Sequence, residues 1–330
     1  MTIRLFDWRD FPILLRYRNQ ELCFDSAVRL TRGSALTPAG ALLSYFAPAT
    51  GIFTYLSTSN GEASPPLVGQ VNHPSGSICA RLSFLSPESG IVAPTTARSA
   101  LPALLEHLII IVGERGALHL LADVDEHAPA FDVLRRVGFA TYARQRIWQL
   151  TGESRENSRI TPWRVATASD EFAVRCLYNN LVPGLVQQVE PLPANRPHGV
   201  IYRKNAELLA YVELRYGSRG IWAQPFIHPN AEDVPPSLGD LLVNLPNRHS
   251  RPVYVCVRSY QSWLETALED SSSLRAIAGS MQAVMVKHLT ISMRPEYSFI
   301  LRPREAGQPE PTAPYARSQK TAIQENKNLQ

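Results

Sequence analysis

The side chains that could do chemistry in this chain are scattered. His73, His119, His127 and His228 could bind a metal or move a proton, yet no two of them stand at the three- or four-residue spacing that puts two ligands on one helical turn. That spacing predicts structural or exposed roles for them and no metal site. Glu213 and Asp123 are the carboxylates best placed to help an acceptor lose a proton, one on a hairpin strand and the other at the carboxyl end of a strand. Asp123 with Asp125 and Glu126 also reads as an acidic cluster that complements a helix dipole. Ser34 and Ser280 lack the G-x-S-x-G turn that presents a nucleophile, and no G-x-x-x-x-G-K-[ST] loop occurs, so hydrolase and P-loop readings have no support. Cys23, Cys79, Cys176 and Cys256 form no C-x-x-C pair and sit in apolar or helical patterns, as reduced thiols do. Trp148, Trp163, Trp222 and Trp263 fall in strand or helix patterns and read as core, with cleft lining as the alternative at Trp222.

The elements that must position these groups come in two similar runs. IRLF (3–6) reads as a first strand, followed by a helix from Asp7 or Asp10 to about Glu21. GIFTYLST (51–58) and LVGQV (67–71) form a hairpin, and ICARLSFL (78–85) a longer strand. A helix to about Gly113 leads to LHLLADV (118–124), whose unbroken apolar character fits a strand buried on both faces. Asp125 to Val137 reads as a helix stopped by Gly138, and 139–150 as a closing strand. The order then repeats. Thr167, Ser169 or Asp170 caps a helix, a hairpin covers roughly 200–214, and IWAQPFIHP (221–229), PVYVCV (252–257), a helix at 259–270 and MQAVMVKHL (281–289) complete it. Each copy is expected to close on its own last strand.

With 330 residues, the chain exceeds the size of one ordinary core. The repeat divides it into a first domain at 1–150, a polar linker at 151–159, a second domain at 160–303 and a disordered tail at 304–330, rich in Pro, Ala, Gln, Lys and Asn. Hydrophobic residues make up 45% and charged residues 19%, and no run reaches the roughly 18 apolar residues of a membrane span. The start, MTIRLFDWRDF, interleaves charges with apolar residues, unlike a secretion signal, so a cytoplasmic protein is expected. From Arg302 onward five basic residues face three acidic ones, so half of the net +4 belongs to the tail. The remainder is too weak and dispersed for a nucleic-acid partner.

This order of elements resembles the GNAT acetyltransferase superfamily, and two unequal copies resemble the tandem GNAT proteins of bacteria. The strongest local likeness is 118–150, with Gly138-Phe139 opening the last strand. The fold implied is α/β with a mixed sheet: two GNAT-like acyl-CoA N-acyltransferase domains in tandem. The resemblance implies acetyl-CoA in the gap where the fourth strand splays from the fifth. Its pyrophosphate would rest on main-chain N–H groups of a Q/R-x-x-G-x-G/A loop at a helix N-terminus.

Carried onto this chain, that places Leu85, Ser86, Gly90, Ile91, Val92, Ala93, Thr95 and Thr96 around the coenzyme. The loop departs from the pattern. Glu88 brings negative charge, Pro94 deletes an N–H, and only Ala93 fits the last small position. The second copy reads Asn230, Ala231, Glu232, Asp233, Val234, Pro235, Pro236 and is further from the pattern. The tyrosine that the family often places four residues before Gly-Phe is Leu134 here, and Tyr260 lies at the wrong end of its helix, so no catalytic residue is assigned. Two functions follow as expectations. In one, the N-terminal copy transfers an acetyl group from acetyl-CoA to a small-molecule amine or a peptide. In the other, both copies have lost the coenzyme and the protein is a binding or scaffold module whose cleft is filled or repurposed.

Overall fold

The computed structural model describes residues 2–34, 50–58, 65–89, 100–151, 162–192, 197–205, 207–231, 234–245, 247–270 and 275–289. The expected linker beyond Thr151 and the expected tail lie outside them. The first half runs β1 (Thr2–Leu5), α1 (Phe11–Arg16), β2 (Leu22–Cys23), α2 (Ser26–Arg32), β3 (Ile52–Thr58), β4 (Leu67–Asn72), β5 (Cys79–Ser86), α3 (Ala100–Glu114), β6 (His119–Asp125), α4 (Pro129–Arg136) and β7 (Ala140–Leu150). The second runs β8 (Trp163–Val165), α5 (Glu171–Leu181), α6 (Gly184–Val189), β9 (Gly199–Lys204), β10 (Glu207–Tyr216), β11 (Ile221–Ile227), α7 (Val234–Val243), β12 (Val253–Arg258), α8 (Trp263–Asp270) and β13 (Ala276–His288).

Two helices are shorter than the sequence pattern suggests, each for a local reason. The first ends at Arg16, not near Glu21, because Asn19 takes a left-handed φ of 106° and turns the chain into β2. The helix expected from Asp125 starts at Pro129, because Asp125 still belongs to β6 and its carboxylate accepts the His127 amide. Gly138, at φ 89°, stops that helix as expected.

A clamp at the start of each half marks the duplication. Arg4 donates both guanidinium ends to Asp10 at 2.7 and 2.6 Å, and Arg164 does the same to Asp170 at 2.8 and 2.7 Å. In both copies the aspartate lies six residues after its arginine and also accepts a main-chain N–H three residues earlier, from Asp7 or Thr167. The clamp thus fastens the first strand to the first helix in each half.

The two halves build one sheet, in the order β1-β3-β4-β5-β6-β13-β7-β12-β11-β10-β9-β8. The last strands are exchanged. β13, from the end of the chain, pairs antiparallel with β6 of the first half, whereas β7 pairs antiparallel with β12 of the second. The two exchanged strands also pair with each other and bring Gln145 opposite Gln282 at the centre. Each half therefore lacks its own last strand and borrows its partner's, which overturns the expectation that each copy closes on itself.

Helices α3 and α4 cover one face of the first half, with Leu104, Leu105, Leu108 and Leu134 in a core with Leu82 and Leu120. Helices α2 and α6 cross between the halves. Ala27 of α2 packs on Trp222 and Cys256 of the second half, and Val189 of α6 packs on Leu121 and Val286. Gly217 lies so close to the end of α2 that a Cβ there would meet the Thr31 carbonyl oxygen at 2.3 Å.

Candidate functional site: two strand gaps and the junction between them

Strands β5 and β6 pair in parallel only from Cys79–His119 to Arg81–Leu121 and then part. The chain fills the space that opens. Leu22 and Cys23 of β2 pair with Leu85 and Phe84, the Phe24 amide donates to the Ser83 carbonyl at 3.0 Å, and the Asp123 amide donates to the Phe24 carbonyl at 2.8 Å. Residues 22–24 thus form a short bridging strand between β5 and β6, with the Phe24 ring buried in the core beneath. The Gln20 carbonyl accepts both the Ser86 hydroxyl at 3.2 Å and the Glu88 amide at 2.8 Å.

Two of the residues expected around the coenzyme, Leu85 and Ser86, are therefore engaged by the chain's own residues 20–22. Gly90, Ile91, Val92, Ala93, Thr95 and Thr96 lie outside the described residues. Sequence reading missed this insertion because LCF is too short to show a strand period. The signal available was Asp25, whose carboxylate accepts the Val28 amide and starts α2.

In the second half β11 and β12 pair in parallel from Ile221–Val253 to Ala223–Val255 and then part in the same way. Here a side chain spans the opening: Gln261 Nε2 donates to the Ile227 carbonyl at 3.0 Å. Three amides described after β11 find acceptors close by in the chain. The Asn230 amide meets His228 Nδ1 at 3.3 Å, the Ala231 amide the His228 carbonyl at 2.9 Å, and the Val234 amide the Ala231 carbonyl at 3.0 Å. The Asn230, Ala231 and Val234 amides therefore already have acceptors within the chain.

Between the gaps, beneath α2 and α6, lies a cluster of charges drawn from both halves. Glu190 accepts from Arg81 at 2.7 Å through one oxygen and from Arg258 at 2.8 Å through the other. Asp123 accepts the Ser26 amide at 3.2 Å and stands 3.8 Å from Arg81. Exposure falls along the cluster, from 27% at the Arg81 side chain through 16% at Glu190 to 6% at Arg258 and Asp123. A neutral relay continues inward: Ser26 Oγ and Gln145 Nε2 both donate to Gln282 Oε1 at 2.9 Å.

Burial opposes every charge in this cluster, and partners decide the outcome. Desolvation alone would raise the Glu190 pKa, but Arg258 and Arg81 outweigh it and hold the carboxyl below its usual range. For Asp123 desolvation prevails over Arg81, and Asp25 adds to it, so this carboxyl is shifted upward. Both arginines stay charged, because their carboxylate neighbours outweigh burial. Burial and then Glu190 push the Tyr142 hydroxyl well up, and burial takes the Cys256 thiol to about 12. Asp123 Oδ1 and Arg258 Nε and Nη1 are buried with no hydrogen-bond partner among the described residues. The cluster sets two arginines against two carboxylates, and Asp123 is the member that burial shifts toward its protonated form.

Of the sequence candidates, Asp123 reaches this junction, and Tyr260 lies close enough to be influenced by Arg258 and Glu190. Glu213 does not: it pairs with Arg215 at 2.9 Å on β10. His73 is buried and fixes a turn through Ser77 O at 2.7 Å, and Leu134 is core. Trp222 is core as well, packed on Ala27. No local pattern foretells that Arg81, Glu190 and Arg258 meet, because 109 residues separate the first two and 68 the last two.

Two strand gaps at equivalent places, each beside a parallel pair that splays, define the class of fold, and comparison with solved structures agrees. A GCN5-related N-acetyltransferase from Sphaerobacter thermophilus superposes with a TM-score of 0.51 at 10% identity, over 87% of this chain and 95% of that one. A GNAT-family acetyltransferase from Colwellia psychrerythraea (TM-score 0.42, 10% identity, 87% of this chain and 100% of that one) is also similar. So is a tandem GNAT protein from the clavulanic acid biosynthesis pathway (0.48, 13%, 87% and 98%). The chain has the GNAT fold, in two copies. No protein-family model matches its sequence, and no curated protein does so. No described helix is long and apolar enough to cross a membrane.

Proposed function

We propose that this protein is a GNAT-fold binding module that no longer uses acetyl-CoA. One observation carries the reading: Phe24 bridges Ser83 and Asp123 by main-chain hydrogen bonds inside the first gap. A pantetheine chain placed there would need the edge of β5 that residues 22–24 already occupy, so the coenzyme does not fit the first half with this segment in place. The acceptors already held by the Asn230, Ala231 and Val234 amides support the same conclusion for the second half. Calorimetric titration of the full chain with acetyl-CoA tests it. No heat and no thermal shift up to millimolar ligand are expected, and stoichiometric binding would overturn the reading.

A second reading has its own observation. Beyond Ala223–Val255 the second gap is spanned by the Gln261 side chain, which can rotate away more readily than a strand can leave. In that reading acetyl transfer to an amine or peptide acceptor belongs to the C-terminal half, not to the N-terminal half that the better-kept sequence landmarks favour. Release of CoA thiol from acetyl-CoA in the presence of amine acceptors would establish it. Absence of release across small amines and peptide N-termini would dismiss it.

A further inference from the structure

His119 has no histidine near it in sequence, but the exchanged strand brings one to it. β13 runs antiparallel to β6 with His288 directly opposite His119. Residues two apart on a strand share a face, so both rings lie on the side of Leu121 and Val286, beneath the end of α6. The two Nδ1 atoms stand 3.1 Å apart, with ring centroids 5.0 Å apart and planes at 85°. His288 is exposed and His119 half-buried, so a hydrated ion can reach both.

We infer that His119 and His288 form a two-histidine chelate for a divalent transition-metal ion, with Cu²⁺ and Zn²⁺ as the natural occupants and water completing the coordination. Metal–imidazole bonds run close to 2.05 Å, so two nitrogens 3.1 Å apart subtend about 98° at a shared metal, between square and tetrahedral angles. Chelation replaces the hydrogen bond between the two rings, with both Nδ1 lone pairs turned from each other toward that point. The Gln188 backbone is also a hydrogen-bond partner of the His119 ring, the kind of outer contact that fixes the tautomer and orientation of a ligating imidazole.

Cys79 sits opposite His119 on the other side, in β5, but does not join. Its Sγ donates to the Val189 carbonyl at 2.8 Å, and burial raises its thiol to about 11. Among the described residues no group of three ligands converges. The chelate therefore has two protein ligands, and the order of affinity for divalent ions makes Cu²⁺ tighter than Zn²⁺. Bound metal would cross-link β6 to β13 and pin the exchanged strand to the half that borrows it.

The test is calorimetry and thermal unfolding of the full chain near neutral pH with Cu²⁺ and with Zn²⁺. The expected result is one equivalent bound, a midpoint that rises with metal concentration, and reversal by a chelator. His119→Ala and His288→Ala should each lose both effects, while His127→Ala, an exposed histidine elsewhere, keeps them. If an alanine variant fails to fold, as judged by circular dichroism, His288→Gln retains a polar exposed side chain and answers the same question. No heat and no shift in the native protein, or binding undiminished in the His119 and His288 variants, would reduce the pair to a hydrogen bond and overturn the inference.

Discussion

The first strand gap is closed by main chain and the second by one side chain, although both open beside the same kind of parallel pair. Residues 22–24 close the first with ladder hydrogen bonds to β5, one main-chain bond to β6 and a buried phenylalanine, whereas Gln261 spans the second with a single side-chain bond. Duplication supplied two equivalent openings. Their different closures show that the same kind of opening can be spanned by main chain or by one side chain, and that the two differ in how many contacts hold them.

That difference sets the order of the expected effects. Phe24→Ala removes a buried ring from the first seal and should cost about 3–5 kcal/mol in chemical unfolding, as phenylalanine truncations in cores do. Glu190→Ala, at the junction, leaves Arg81 and Arg258 without their shared carboxylate and should cost a similar 3–5 kcal/mol or so. Arg258→Met added to it should recover part of the loss. Gln261→Leu, in the second seal, should cost only about 1–3 kcal/mol, the penalty of one unsatisfied carbonyl. If Gln261→Leu proves as costly as Phe24→Ala, the two closures are equivalent and the comparison fails.

Smaller effects concern the paired clamps. The Arg164 hydrogen bond holds the Asp170 carboxyl far below its ordinary value, and Arg4 lowers Asp10 against the opposing cost of burial. A carboxylate depressed on folding adds stability that is complete above its unfolded pKa of about 3.9 and is lost as pH falls through the folded value. Asp170→Asn should therefore flatten the acid limb of stability against pH more than Asp10→Asn, with denaturant midpoints as the measurement. Asp123, shifted upward, acts in the opposite sense: its contribution falls as pH rises above the ordinary carboxylate range.

Most elements of the fold were legible because their apolar residues repeat at strand or helix period, as in β3, β6 and β12. Four features were not, for physical reasons. Strand exchange leaves no local mark, because β7 and β13 alternate just as they would beside their own halves. The bridging strand at Leu22–Cys23 spans a single strand period, too little to show alternation. The junction cluster depends on residues that only tertiary packing brings together, and so does the His119–His288 pair, 169 residues apart. The Arg–Asp clamps, by contrast, repeat at a fixed six-residue spacing and were open to detection as a sign of duplication.

Amide hydrogen exchange at Phe24 and Asp123, followed by NMR with and without acetyl-CoA, tests the closed first gap most directly. Both amides donate within the gap, so the account predicts protection approaching that of the global core, unchanged by the coenzyme. Rapid exchange at either amide, or protection lost when acetyl-CoA is added, would show that the segment leaves and that the gap still receives the coenzyme.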